Sequence, residues 1–292
     1  MPAISEIYDK NTTSDRVSPK MDSVVYATDL SLYSQNTGVL AMEIAARLST
    51  KLLVTHAFTL SQAALEVEVL HSRSSQQRQD LNSLLASKTA LLAQDNVEAI
   101  AKLLEGDPQK IVPEFASLHA PSLIVMGAHG GGRFVRSILG SVSEQILWSS
   151  LMPSLTVGPK VPLISSFTVP CKKLLYVTGC SSAVGHAAEF AVTFAEALGA
   201  EIDMLILPGE KAVLQPVPDD HEPKRSGNIP NSKANVAVGK AHDRILEVIK
   251  ERSIDMLVLG IQKTSRFGMD KRTPDVFQLI VDAACPVLTI RI

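Results

Sequence analysis

The sequence predicts an α/β protein of two tandem domains, each a doubly wound parallel sheet of five strands between helices. Three observations lead to this class. Short apolar runs alternate with longer segments of helical periodicity, which is typical of a sheet covered by helices on both faces. The alternation stops at a segment with three prolines, 158–172, and then begins again. The length of 292 residues also suits two domains of ordinary size.

The first run of this pattern lies within residues 21–158 and follows a polar N-terminal tail, 1–20. Its predicted strands are 24–27, 52–56, 97–104, 123–126 and 155–157. Its predicted helices are 34–49, 76–94, 108–120 and 141–151. Asp107 is expected as the N-cap of the third helix, because an aspartate side chain accepts from the unpaired N–H groups there. Pro108 suits the first helical position, which needs no N–H.

A linker at 159–172 leads to the second domain, predicted over 173–292. The predicted strands of this domain are 174–178, 202–207, 236–239, 256–260 and 286–290. Its predicted helices are 183–198, 240–252 and 275–284. The long second helix of the first domain has no counterpart, since proline and polar residues fill 208–232, which we interpret as a loop. A repeat of this length indicates a tandem pair.

Composition and charge exclude several partners. A formal net charge of −2 does not favour nucleic-acid binding, and no apolar run is long enough to span a bilayer. Residues 1–20 lack the apolar core of a signal peptide. Cys171, Cys180 and Cys285 show no C-x-x-C spacing, so we expect reduced core thiols in a cytoplasmic protein. Neither nucleic acid nor a membrane is an expected partner.

The most informative stretch joins the fourth strand to the fourth helix. Gly127 ends the strand, Gly130 follows in the loop, and Gly140 precedes Ser141 at the start of the helix. Glycine lets a ligand approach the backbone, and the first N–H groups of a helix have no intrahelical acceptor. The helix dipole is positive at the same place. These features form an anion site, and the length of the pattern favours the phosphates of a nucleotide.

The same four residues resemble the ATP-binding branch of the universal stress protein family, which carries G-x2-G-x9-G-(S/T) after its fourth strand. The resemblance covers residues 21–158, and 173–292 look like a degenerate second copy. It implies a Rossmann-like fold of the HUP type with strand order 3-2-1-4-5 in each domain. Members of the family commonly dimerise through their fifth strands. Here 155–157 and 287–290 are expected to pair within one chain as a pseudo-dimer, and a homodimer of the chain is a further expectation.

The resemblance also implies which residues bind ATP. They lie after the first, second and fourth predicted strands and at the start of the fourth helix. The expected set is Thr28, Asp29, Ala57, Met126, Gly127, Gly130, Gly140, Ser141, Val142 and Ser143. Mg²⁺ is expected to accompany the triphosphate, because adjacent phosphate charges attract it.

Some of these residues also have a structural interpretation. For Asp29 the alternative to ligand binding is the role of a turn or N-cap residue. Ser141 and Ser143 either donate to phosphate or cap the helix, and Ser141 with Glu144 resembles half of a capping box. Capping and anion binding are compatible, because both use the same end of the helix.

Four further residues near the motif leave alternatives open. Arg133 and Arg136 either neutralise phosphate or belong to the surface. His56 is expected to pack, because no other ligand stands at metal-binding spacing from it. His129 is expected to be a solvent-facing loop residue rather than a general base.

The second copy lacks the chemistry of the first. Gly179 stands where Asp29 stands in the first copy, and Pro274 stands where Ser141 does. Proline has no N–H to offer an anion. ATP is therefore expected in the first domain alone, with a structural or regulatory role for the second.

We expect a nucleotide-dependent signalling protein of the stress response that acts on an unidentified protein partner. One alternative is an enzyme, a slow ATPase or a nucleotide-dependent transferase. It is disfavoured because the chain has no G-x-x-x-x-G-K-(S/T) loop and no assignable catalytic residue. The other alternative is a nucleotide-free interaction module in which the folds serve assembly.

Overall fold

The computed structural model describes residues 21–32, 34–59, 68–93, 96–129, 139–162, 171–179, 185–207, 234–236, 241–261 and 276–291. Within these ranges the strands form one ten-stranded sheet. The strands are β1 (Ser23–Ala27), β2 (Lys51–Phe58), β3 (Ala99–Glu105), β4 (Ser122–Gly127), β5 (Ser154–Val157), β6 (Lys173–Gly179), β7 (Glu201–Leu207), β8 (Ala234–Val236), β9 (Met256–Ile261) and β10 (Val287–Arg291). The helices are α1 (Ser34–Arg47), α2 (Glu68–Leu92), α3 (Pro108–Leu118), α4 (Ser141–Ser149), α5 (Gly185–Leu198), α6 (Ala241–Arg252) and α7 (Val276–Asp282).

The sheet consists of two halves with the same topology. Its order is β3-β2-β1-β4-β5-β10-β9-β6-β7-β8, so each half follows the order 3-2-1-4-5 from its outer edge. Neighbouring strands within each half run parallel. The predicted α/β class and the strand order are therefore confirmed.

The halves join through their fifth strands. β5 and β10 pair antiparallel, with Leu155 opposite Leu288. The Thr289 hydroxyl also donates to the carbonyl oxygen of Ser154 at 3.1 Å. The predicted pairing of the fifth strands inside one chain is thus observed, and it covers the inner edge of each half.

Two apolar cores lie on the two faces of the sheet, and each continues through both halves. On one face α1, α2 and α5 pack over the strands, and Leu40 and Phe194 are almost fully buried there. The other face carries α3, α4, α6 and α7, with Ile146 and Leu279 fully buried. Burial of each such side chain contributes about 1.5–3 kcal/mol, so shared cores bind the halves to each other. None of the helices in the described ranges is long and apolar enough to cross a bilayer.

Polar contacts also cross the junction of the halves. Arg47 of α1 donates to the carbonyl oxygens of Cys171 and Leu198, at 3.1 and 3.3 Å. On the opposite face Lys160 pairs with Asp282 of α7 at 2.5 Å. Helix α1 and the segment after β5 are therefore both tied to the second half.

The two described cysteines are small core residues, as the sequence predicts. Cys171 and Cys285 are buried and take part in no disulfide. Burial raises the pKa of each thiol to about 12, so both stay protonated at neutral pH and are poor nucleophiles. Cys180 lies outside the described residues.

Helix α2 and strand β8 differ most from their predicted bounds. Helix α2 begins at Glu68 and not at residue 76, because the polar segment before residue 76 continues the helix without an apolar periodicity that would reveal it. Strand β8 covers Ala234–Val236, while the prediction was 236–239. Residues 1–20, 163–170 and 208–233 lie outside the described part, so the tail, the domain boundaries and the loop remain predictions.

Candidate functional site

A cavity of about 600 Å³ lies at the carboxyl ends of β1, β2 and β4, beside the start of α4. Nine of the ten residues predicted to bind ATP line it. They are Thr28, Asp29, Ala57, Met126, Gly127, Gly140, Ser141, Val142 and Ser143. Gly130, Arg133 and Arg136 lie outside the described residues, so the structure does not place them.

The strand order creates this cavity. β1 lies between β2 and β4, and Ala27 at its end is opposite Thr55 on one side and Met126 on the other. The chain leaves β1 towards α1 on one face and leaves β4 towards α4 on the other. A crevice opens where neighbouring strands diverge to opposite faces, and ligands of doubly wound sheets bind there.

The turn after β1 is held by a set of hydrogen bonds around Thr28. The N–H of Thr28 donates to Thr55 O at 2.9 Å, and the Thr28 hydroxyl donates to Ser34 Oγ at 2.9 Å. Leu30 N–H donates to that same hydroxyl at 3.0 Å, and this contact holds Leu30 at a φ of 62°. A left-handed conformation is costly for leucine. Several side-chain hydrogen bonds therefore fix the conformation of the turn at the cavity.

His56 takes part in the same arrangement. Its Nδ1 lies 2.9 Å from the carbonyl oxygen of Thr28, and because a carbonyl only accepts, Nδ1 carries the proton. The prediction that His56 merely packs is incomplete, since its ring also lines the cavity. His129 lines the cavity as well.

Asp29 lies at the rim of the cavity and is exposed. Its Oδ1 accepts from the N–H of Ser31 at 3.1 Å and from the Ser31 hydroxyl at 2.7 Å. The structure thus shows the turn role that the sequence offered as an alternative. Its position at the rim keeps the carboxylate next to any ligand in the cavity.

Helix α4 presents an uncapped N-terminus to the cavity. Its N-cap is Gly140, which makes no side-chain hydrogen bond, and Ser141 is the first helical residue. The predicted half capping box of Ser141 and Glu144 is therefore wrong, because the N-cap lies one residue earlier and has no side chain. Glu144 N–H donates to Gly140 O. The N–H groups of the three residues before it have no intrahelical acceptor, which suits an anion.

Ser143 differs from Ser141 in what its hydroxyl does. Ser143 is buried, and its Oγ donates to the carbonyl oxygen of Gly127 at 2.7 Å. That bond uses its only proton and fastens α4 to the end of β4. Ser141 is exposed at the mouth of the cavity. Of the two predicted phosphate donors, Ser141 is the one whose hydroxyl is accessible from the cavity.

Replacing Ser143 by alanine should lower the free energy of unfolding by about 1–2 kcal/mol, because Gly127 O loses its donor inside a buried contact. Threonine at the same position keeps the hydroxyl and should recover most of the loss. Urea unfolding followed by circular dichroism measures the effect. The control is Ser141→Ala, which should stay within about 0.5 kcal/mol of the parent because Ser141 is exposed. Equal losses for the two alanine variants would contradict this role.

The apolar wall of the cavity was not predicted from the sequence. Pro108 and Val112 of α3 line it, as do Leu139 and Ile146 on the α4 side. Val112 and Ile146 are buried. The predicted strand order could have indicated this wall. The order 3-2-1-4-5 places α3 and α4 on the same face of the sheet, so the helix after β3 covers the crevice beside β1.

The described lining contains few charges. Asp29, His56 and His129 are its titratable side chains, and the described part of the lining includes no lysine or arginine. The described ranges also hold no group of three His, Cys, Asp or Glu side chains that would bind a metal. Among the described residues, the positive potential at this site comes from the backbone at the start of α4.

Comparisons with known proteins agree with this architecture. The model of the universal stress protein family matches residues 21–158. A universal stress protein from Archaeoglobus fulgidus is similar over 93% of this chain and 97% of that chain, at 15% identity and a TM-score of 0.66. A functionally unknown protein from Pseudomonas aeruginosa is similar over 93% of this chain and 92% of that chain, at 11% identity and a TM-score of 0.53. No relative is found among curated protein sequences.

The two solved structures show the fold of the whole chain, since both similarities extend over its two halves. The family match falls on the part of the chain that holds the cavity. Residues 21–158 therefore match the universal stress protein family, and the whole chain is similar in fold to a universal stress protein of known structure.

Proposed function

We propose that the first domain binds ATP in this cavity and that the bound state is a signal of the stress response to an unidentified protein partner. The observation that carries the proposal is the uncapped start of α4, which opens into a cavity of about 600 Å³. Unpaired N–H groups and the positive end of the helix dipole bind phosphate oxygens. Ser141 adds a hydroxyl donor at the same point.

The apolar side chains that line the cavity suit a nucleoside. Ala57, Val112 and Ile146 offer apolar surface for a purine ring, and most of a small-molecule pocket is apolar in this way. Asp29 stands at the rim, where a carboxylate accepts hydrogen bonds from ribose hydroxyls or an exocyclic amino group. The apolar lining and the anion-binding start of α4 thus match the base and the phosphates of ATP.

Mg²⁺ would accompany the nucleotide. The described lining supplies no basic side chain, so Mg²⁺ would add to any neutralisation of the phosphate charge by Arg133 and Arg136. Mg²⁺ commonly binds through substrate phosphates and retained water, which fits a site without an acidic cluster in the described ranges. The ion would be held by the phosphates and would balance their charge.

A single ATP per chain is expected, because the second half departs from the first at both ends of the site. Gly179 replaces the carboxylate of Asp29, and Pro274 replaces Ser141 and removes an N–H. We propose that the second domain, 173–292, supports the first across the β5–β10 junction, with 159–172 as the linker.

Calorimetric titration of Mg-ATP into the full chain should give one site. The control variant is Gly140→Val, because a Cβ at residue 140 would lie 3.1 Å from Ala128 O and disturb the start of α4. Binding should be lost in this variant while circular dichroism shows a folded protein. Two ATP molecules per chain would show that the second half also binds. No binding, with no nucleotide retained through purification, would favour the interaction module.

A further inference from the structure

A second cavity, of about 220 Å³, lies on the face of the sheet that carries α1 and α2. Val39, Val54, Leu91 and Leu92 form apolar walls, and the ring of Tyr26 closes one side. Leu91 is 72% exposed, so the cavity opens to solvent beside it. None of these side chains lines the larger cavity.

Thr28 and Ser34 separate the two cavities and line both. Their hydroxyls are joined by a hydrogen bond of 2.9 Å, and the Tyr26 hydroxyl donates to Ser34 O. Those hydroxyl protons are therefore engaged within the wall. The smaller cavity is a distinct space on the other side of the turn that follows β1.

Lys88 is the charged residue that lines the smaller cavity. Its Nζ lies 3.5 Å from the carbonyl oxygen of Ser31, at the outer limit for a hydrogen bond. No carboxylate of the described residues forms an ion pair with it. An ammonium group thus stands at the edge of apolar walls, and no described carboxylate lies within ion-pair distance of it.

We propose that this cavity binds a small apolar carboxylate, with its carboxylate at Lys88 and its hydrocarbon part against Val39, Leu91 and Leu92. An apolar cavity of about 150 Å³ accommodates a benzene ring, so about 220 Å³ suits a chain or ring of roughly six carbons with its carboxylate. Pairing with a carboxylate supplies the counter-charge of Lys88. The same ammonium group rejects a cationic ligand of equal length.

Hexanoate titrated into the full-length protein, without nucleotide, tests the proposal. In methyl-labelled protein followed by NMR, the methyl signals of Val39, Leu91 and Leu92 should shift, with a Kd of about 0.1–1 mM, as expected for a ligand of this size. The methyl signals of Val112 and Ile146, which line the larger cavity, should not shift. Hexylamine should bind at least about tenfold more weakly, since it brings a like charge to Lys88.

Lys88→Met keeps the length of the side chain and removes its charge, so it should weaken hexanoate binding by about tenfold or more. The matched control is Lys110→Met, an exposed lysine on α3 outside the cavity, which should leave the Kd unchanged. Three results would overturn the proposal. They are shifts confined to Val112 and Ile146, equal loss in the two variants, and no shift up to about ten times the expected Kd.

Discussion

Replacing Ser141 by proline is expected to reduce the affinity for Mg-ATP by at least about a hundredfold. The substitution removes one backbone N–H and one hydroxyl from the start of α4. A hydrogen bond to a charged group contributes about 1.5–3 kcal/mol, and the phosphate would lose two donors at once. Calorimetric titration of the two proteins measures the difference directly.

Proline should not unfold this helix, which makes the variant informative. Ser141 is the first helical residue, and Gly140 before it has φ −66° and ψ 143°. Proline is favoured at the first helical position, and the residue before a proline prefers the extended conformation that Gly140 already has. Urea unfolding should therefore show a change of at most about 1 kcal/mol.

Ser141→Ala separates the two donors. It removes the hydroxyl and keeps the N–H, so affinity should fall by about tenfold, the effect of one lost hydrogen bond to a charged group. Equal affinities of the proline variant and the parent would mean that the anion does not bind at the start of α4. The second half already carries this substitution, since Pro274 follows Gly260 at the same distance as Ser141 follows Gly127.

The fold was predictable because strands buried on both faces are continuous apolar runs. The runs of β4 and β9 are visible in the sequence, and both prove fully or nearly fully buried. The bounds of α2 were not predictable in the same way, because its first turns offer no apolar stripe. Sequence periodicity reports burial on one face of a helix, and it fails where a helix is mostly solvated.

The residues of the site were predictable where their role depends on the backbone of a loop or a helix start. The spacing of Gly127, Gly140 and Ser141 fixes a strand, a loop and a helix start, and the structure brings these residues into one cavity. The partner of the Ser143 hydroxyl was not predictable, because a serine near a helix start has several acceptors in reach. The wall contributed by Val112 was missed, because it depends on tertiary packing and not on local sequence.

Gly158→Ala is expected to lower the free energy of unfolding by about 3 kcal/mol or more. A Cβ on Gly158 would overlap the carbonyl oxygen of Ile280 in α7, and backbone atoms of a helix cannot move aside as a flexible side chain can. Forced overpacking costs about 1–3 kcal/mol and more where the backbone must shift. Because Gly158 follows β5 and Ile280 belongs to the second half, the strain falls on the junction.

Gly199→Ala is the matched control, since it adds the same methyl group where nothing lies within 4 Å. Because the φ of Gly199 is 65°, alanine there should lower the free energy of unfolding by about 1–2 kcal/mol through its backbone conformation alone. Urea unfolding of both variants isolates the contribution of the contact with Ile280. A loss for Gly158→Ala no larger than that for Gly199→Ala would show that the junction tolerates the methyl group.

Gly158→Ala should also weaken ATP binding, because two backbone hydrogen bonds connect the junction to the site. Val157, the residue before Gly158, accepts from Ala128 N–H at 2.8 Å through its carbonyl oxygen. The carbonyl oxygen of Ala128 accepts in turn from Gly140 N–H at 2.8 Å. A displacement of Gly158 would therefore also move Gly140, the N-cap of α4. A drop in ATP affinity of about threefold or more for Gly158→Ala, with none for Gly199→Ala, would show that the second half supports the site. Unchanged affinity in a folded Gly158→Ala protein would confine its role to stability.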